Sequence, residues 1–299
     1  MLTRVTPGRH RRPFARLPAM NYRHAFHAGN HADVLKHITL LAWIDALAGK
    51  DSPFFVLDTH GGRGHYALDA AAAERTGEGQ AGIGRLWGKH GLPAAVQRLC
   101  GVVGRFNAEG RLREYPGSPR IALAAMRPQD HLAACELHPE EAAALKANLA
   151  GDARAAVHQR DGYEATRALL PPKEKRGLVL IDPPYEAQDD EYPRVLEAVR
   201  TALERWPTGG VAVWYPIKQR RTLHGFFRQA SLMAPRGLLC AELLIRPDDS
   251  PLRLNGSGML LFHPPWKLDA ALAPALPILA RMLGESHAST RLEWLRALP

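Results

Sequence analysis

Short apolar runs alternate with stretches of helical periodicity along most of this chain, and few folds accommodate that alternation. Phe54-Phe55-Val56-Leu57, Leu132–Cys135, Ala153–His158, Leu178–Ile181 and Gly210–Trp214 read as buried strands. Ala32–Lys50, Pro139–Leu149, Tyr163–Leu170 and Glu191–Arg205 read as helices; in the first, Val34, Leu35, Ile38, Leu41, Ile44 and Leu47 recur every three or four positions on one face. Strands that alternate with helices predict an α/β domain built on a mostly parallel sheet covered on both sides. Near the end, Leu238–Ile245 and Met259–His263 are strand-like and separated by a polar loop with Asn255-Gly256, which suits an antiparallel hairpin and so a reversed strand. From Tyr66 to about Gly117 the pattern is helical and offers no strand. This predicts a helical insertion subdomain over 66–117, between the two parts of the main domain at 20–65 and 118–299.

The bulk numbers narrow the class of partner. No apolar run approaches the roughly 18 residues that cross a bilayer, and the Arg-rich start lacks the apolar core of a secretory signal, so a cytoplasmic protein is expected. Arg11-Arg12 is followed by no apolar segment, which argues against twin-arginine export. Cys100, Cys135 and Cys240 are far apart and suggest neither a disulfide framework nor a zinc site; each reads as a small buried hydrophobe. The net charge of +9 favours a polyanion. Five of the positive charges lie in residues 1–19, with three prolines and no acid, a composition that predicts a disordered extension; Met20 is an alternative start.

The strongest chemical signal is Leu178-Val179-Leu180-Ile181-Asp182-Pro183-Pro184-Tyr185. In open α/β sheets, ligands bind beyond the carboxyl ends of strands, where this tetrad falls. Adenine N6 is a poor nucleophile because its lone pair is delocalised into the ring. Asp182 can accept one N–H and the Pro183 carbonyl the other, while the prolines hold that carbonyl rigid. Asp182 can also stabilise the positive charge that develops on nitrogen. Tyr185 offers a face on which an extruded base could stack. Proline pairs also end strands for purely structural reasons, and His263-Pro264-Pro265-Trp266, which lacks the acid, reads that way.

Asp58-x-His60-x-Gly62-x-Gly64 resembles a glycine loop that lets a cofactor approach the backbone, and it is not the G-x-G-x-x-G of dinucleotide sites. Glu136 ends the next strand, where a carboxylate can accept ribose hydroxyls, and Asp161-Gly162 follows the third, placed to contact an adenine ring. Each could equally be a helix cap. Among His24, His27, His31 and His37 a metal site is not expected, because no Cys or Glu nearby completes a ligand set; Asn30 or Gly29 reads as a helix start.

Together, Tyr22-Arg23-His24 through Lys36-His37, Asp58-Thr59-His60, Tyr115-Pro116-Gly117-Ser118-Pro119, Glu136-Leu137-His138-Pro139, Asp161-Gly162 and Asp182-Pro183-Pro184-Tyr185 resemble the bacterial 23S rRNA adenine-N6 methyltransferases of the RlmJ family, over about residues 20 to 299. The resemblance implies a Rossmann-like class I methyltransferase fold with a mostly parallel seven-stranded sheet and one reversed strand. It also implies S-adenosylmethionine as cofactor, bound by His37, His60, Ser118, Glu136, Asp161, Gly162 and Asp182. Asp182 would be the catalytic acceptor, with Tyr22 and Lys36 approaching the RNA. The 1–19 leader departs from the family pattern, and Arg63 stands where small residues are usual, open to the cofactor, RNA or solvent. On the residues alone, a DNA adenine methyltransferase and a non-catalytic RNA-binding or assembly protein remain open.

Overall fold

The computed structural model describes residues 26–70, 76–185, 188–251 and 254–297. The chain begins with α1 (His31–Ala48), β1 (Phe55–Asp58), β2 (His65–Ala67), α2 (Glu78–Ala81), α3 (Ile83–Leu86), α4 (Ala94–Gly104) and β3 (Glu114–Pro116). It continues through α5 (Ser118–Ala125), β4 (His131–Glu136), α6 (Pro139–Asn148), β5 (Ala155–Gln159), α7 (Gly162–Leu169), β6 (Gly177–Ile181), α8 (Gln188–Arg205) and β7 (Gly210–Ile217). It ends with α9 (His224–Leu232), β8 (Leu238–Leu244), β9 (Gly256–Phe262), α10 (Leu268–Leu272), α11 (Ala275–Leu283) and β10 (Ser289–Arg296).

Eight strands share one sheet in the order β10-β8-β9-β7-β6-β1-β4-β5. β1 lies between β6 and β4, parallel to both, with Phe55 opposite Gly177 and His131. β5 and β7 extend the parallel part. β9 runs against both β7 and β8, so the predicted hairpin is present. The predicted α/β class holds, but the sheet has an eighth strand and a second reversal, because β10 adds antiparallel to β8. β10 is an edge strand in which Arg, Glu and Trp alternate around half-buried positions. It never becomes the two-faced apolar run by which the inner strands are recognisable.

Helices cover both faces. On one, Ile38, Leu41, Trp43 and Ile44 of α1 pack with Val56, Leu180 and Leu261 of the sheet and with Leu276 and Leu279 of α11. On the other, Val195, Val199 and Trp206 from α8 and its end, with Phe226 and Phe227 of α9, cover Val179, Val211 and Val213. Each such fully buried side chain contributes about 1.5–3 kcal/mol.

The interval expected to hold no strand is bounded by two short ones. β2 and β3 pair as an antiparallel ribbon, with Tyr66 opposite Tyr115. Three residues each are too few to show a period, and what fixes them is burial of the two tyrosines. The helices between them turn Ile83, Leu86, Val96 and Leu99 into the core that α1 shares. Cys135 and Cys240 are buried and Cys100 is half-buried, all as free thiols. Among the described residues, no helix is long and apolar enough to cross a membrane.

Candidate active site

Going outward from β1, the chain passes first to β4 and β5 and then returns to β6 on the other side. A crevice opens at such a switch point, above the carboxyl ends of the strands. The loop after β1 is fastened across it. Thr59 donates from N and from Oγ1 to the Leu180 carbonyl at 3.0 and 2.9 Å, and Gly61 N donates to the Cys135 carbonyl at 2.8 Å. Gly62 has φ +56°, and a Cβ there would stand 2.3 Å from the Tyr66 hydroxyl. Its N–H reaches Glu136 Oε2 at 3.0 Å, while His138 N donates to Oε1 at 2.8 Å. Burial raises the Glu136 pKa against the pull of these amides. Each carboxylate oxygen keeps a lone pair for a further donor, which suits a pair of hydroxyls.

On the far side of the loop, Asp161 caps α7 by accepting from Tyr163 N at 2.8 Å, and its Oδ2 takes a bond from Arg194 at 3.0 Å. A Cβ on Gly162 would lie 2.0 Å from the Thr59 carbonyl, so the two loops touch backbone to backbone and no other residue fits. His60 is edge-on to Tyr163, with ring centroids 5.1 Å apart. Burial pulls its pKa down to about 4, so it is neutral at pH 7. Its Nδ1 lies 2.7 Å from Thr59 Oγ1. The single hydroxyl proton of Thr59 goes to Leu180, so Nδ1 must carry the ring proton, which leaves Nε2 as an acceptor.

Beneath the loop Asp58 is buried, accepting from His60 N at 3.3 Å and from the Ser118 side chain at the start of α5. Burial pushes its pKa up to about 6, against the Ser118 bond and with Asp182 adding to the rise. On α1, His37 Nδ1 meets the Tyr115 hydroxyl at 2.7 Å, the rings stacked at 5.5 Å.

Lys36, also on α1, is 4% exposed and bridges two carboxylates, Asp33 Oδ1 at 2.8 Å and Asp182 Oδ2 at 2.5 Å. Burial alone would depress the ammonium pKa; Asp182 and Asp33 outweigh it and hold it above the ordinary lysine value. Asp182 Oδ1 takes no hydrogen bond from any described residue. Pro183 is buried and Pro184 half-buried. Tyr185 has φ +50°, a conformation that costs a non-glycine residue about 1–3 kcal/mol. It is held by its hydroxyl, which donates to the Trp214 carbonyl at 2.9 Å, and by ring contacts to Trp214 and Tyr192 at 5.7 and 5.4 Å. Its ring is therefore packed and 6% exposed, not open as a platform.

The carboxyl ends of β1, β4, β5 and β6 thus carry His60, Glu136, Asp161, Gly162 and Asp182, with Ser118 bound to Asp58, Lys36 paired to Asp182 and His37 next to Lys36 on the same helix. Tyr22 lies outside the described residues, as do Arg23, His24 and the 1–19 leader. Asn30 does start α1, accepting from Ala32 N and Asp33 N at 2.9 and 3.0 Å. Arg63, left open by the sequence, is bound to Glu141 at 2.9 Å through Nε and 2.5 Å through Nη2. The second tetrad lies elsewhere: β9 is reversed, so His263–Trp266 falls at the opposite end of the sheet, level with the start of β7. Asp33 and Thr59, quoted in the motifs above without a role, and Arg194, not quoted, also serve the site. Asp33 had a signal, since its spacing to Lys36 is that of a helical ion pair; Arg194, 33 positions from Asp161, had none.

A mostly parallel sheet with this strand order and a reversed strand, with a glycine loop over its switch point, is the Rossmann-like fold of class I methyltransferases. A family model described as "Ribosomal RNA large subunit methyltransferase D, RlmJ" matches residues 51–296, and the chain belongs to that family. It is 43% identical over 273 residues to ribosomal RNA large subunit methyltransferase J of Escherichia coli K12, spanning 90% of this chain and 97% of that protein. To the Haemophilus influenzae protein of the same name it is 42% identical over 278 residues, 92% of this chain and 99% of that one. A crystal structure of a Legionella pneumophila protein superposes with a TM-score of 0.82 at 34% identity, covering 90% of this chain and 98% of that one.

Proposed function

We propose that this protein methylates N6 of an adenine in 23S rRNA, with Asp182 as the acceptor for the amine protons. The observation that carries the chemistry is the Asp182 carboxylate at the end of β6, one oxygen held by Lys36 at 2.5 Å and the other taking no bond from a described residue. An extruded base would place its amine there. Asp182 Oδ1 accepts one N–H and the Pro183 carbonyl the other, which draws the nitrogen out of conjugation and frees its lone pair. Asp182 then takes the proton that the alkylated nitrogen sheds. Stacking on Tyr185, expected from the sequence, would require that ring to be uncovered as the base enters. Lys36 would approach the target base through Asp182 and not a backbone phosphate.

The cofactor, S-adenosylmethionine, supplies an electrophilic methyl group on a sulfonium centre. The crevice fits it chemically. Glu136 keeps acceptor capacity for ribose hydroxyls, Asp161-Gly162 closes on Thr59 where an adenine ring would lie, and neutral His60 offers Nε2 as an acceptor. His37 and Ser118 are assigned to the same site on the family resemblance.

The test is methyl transfer from labelled S-adenosylmethionine to unmodified 23S rRNA beside a duplex DNA control, with nucleoside analysis. N6-methyladenosine in RNA alone is expected; label only in DNA would overturn the substrate. Asp182→Ala should still bind the cofactor and lose at least about 100-fold in turnover. Retained turnover would sink the mechanism.

A further inference from the structure

From Lys218 to Gly237 the chain carries five Lys and Arg and not one Asp or Glu. This segment leaves the carboxyl end of β7, the strand beside β6. Ile181 pairs with Val213, so Asp182 stands level with Trp214, and Lys218 is four residues further on, about 13 Å at strand rise. The segment therefore starts on the same rim of the sheet as Asp182. It is also packed against the acid-Pro-Pro-Tyr turn through a run of rings: Tyr185 touches Tyr192, and Tyr192 touches Phe226 at 4.8 Å.

Not all of its charge is free. Arg220 is an anchor. Its Nε reaches the wholly buried Glu242 at 2.8 Å, and its N–H reaches Asp248 at 2.6 Å. Arg236, at the far end, donates to the Pro207 carbonyl. Lys218, Arg221 and Arg228 are exposed and have no carboxylate partner among the described residues; Arg221 meets only Gln219, at 3.0 Å. A segment that starts on the rim of the sheet where a base must be extruded, continues into α9 and presents three exposed cations without carboxylate partners has the chemistry of a phosphate track.

We infer that Lys218, Arg221 and Arg228 bind backbone phosphates of the RNA that flanks the target adenine. The inference rests on the RNA methyltransferase reading above. A triple variant, K218Q/R221Q/R228Q, is compared with wild type for binding to an unmodified 23S rRNA fragment at 50 to 200 mM salt. A control triple, K50Q/K173Q/K175Q, removes equal charge from exposed positions at the opposite rim, where the parallel strands begin. Three phosphate contacts contribute about 2.1 to 2.7 to the slope of log affinity against log salt. Across that range wild-type affinity should therefore fall about 20- to 40-fold more than that of the variant. The control should follow wild type, and S-adenosylhomocysteine affinity should be unchanged in all three. Equal slopes in wild type and variant, or the same loss in the control, overturn the inference while the methyltransferase reading stands. A wild type that neither binds nor methylates the RNA overturns both.

Discussion

Gly162 illustrates how closely single residues are constrained here. Its hydrogen atom occupies the place where a Cβ would come within 2.0 Å of the Thr59 carbonyl, and Thr59 cannot retreat because its N and Oγ1 are both bound to Leu180. Gly162→Ala should therefore push the two loops apart, at an overpacking cost of about 1–3 kcal/mol. A lower melting temperature together with at least tenfold weaker S-adenosylhomocysteine binding is expected by calorimetry; a variant with unchanged affinity would separate that contact from the cofactor. Lys36 makes the Asp182 experiment interpretable at the same scale. When Asp182 is removed, the buried ammonium still has Asp33 at 2.8 Å, so it is not left as a lone buried charge, which would cost about 3–5 kcal/mol.

Among elements, β10 is the most informative. It covers the outer edge of β8 and brings Arg291 to within 3.9 Å of buried Glu242. A chain ending at Glu285 should expose a long apolar edge strand, and such edges pair with other copies. Aggregation seen by light scattering at temperatures where the full chain stays clear is the expected outcome; a monodisperse truncation would refute it. Inner elements were legible in the sequence because strands buried on both faces carry continuous apolar runs, so β1, β4, β6 and β7 stand within a few residues of where pattern places them. Elements half in solvent were not: β10 hides among charges, and β2 and β3 are too short for a period. The site divides along the same line. Asp182 and Glu136 end recognisable strands and were visible. The Arg194 bond to Asp161 and the packing of Tyr185 under Trp214 depend on residues brought from distant turns.

For the whole molecule, burial sets the response to acid. His31, His60 and His263 are each pushed down to about 4, mainly by burial, so the native state keeps them neutral where the unfolded chain takes up protons near 6.5. Asp58, pushed up to about 6, works in the opposite sense, since the native state holds a proton that the unfolded chain releases near 3.8. His65 and His158, also lowered by burial, add to the first sense, and His27 and Glu136, both raised, to the second; the balance stays with proton uptake on unfolding, so stability should rise with pH between about 4 and 6.5, with a slope on the order of one to two protons. Denaturant unfolding measured at half-unit steps would show this, and a flat or falling profile would contradict it. The reversal of β9 has a practical consequence. It carries Trp266, 74% exposed, to the end of the sheet opposite Asp182. A dye or a surface tether attached there would hold the molecule by its idle end and leave the opposite pole free to be watched at work.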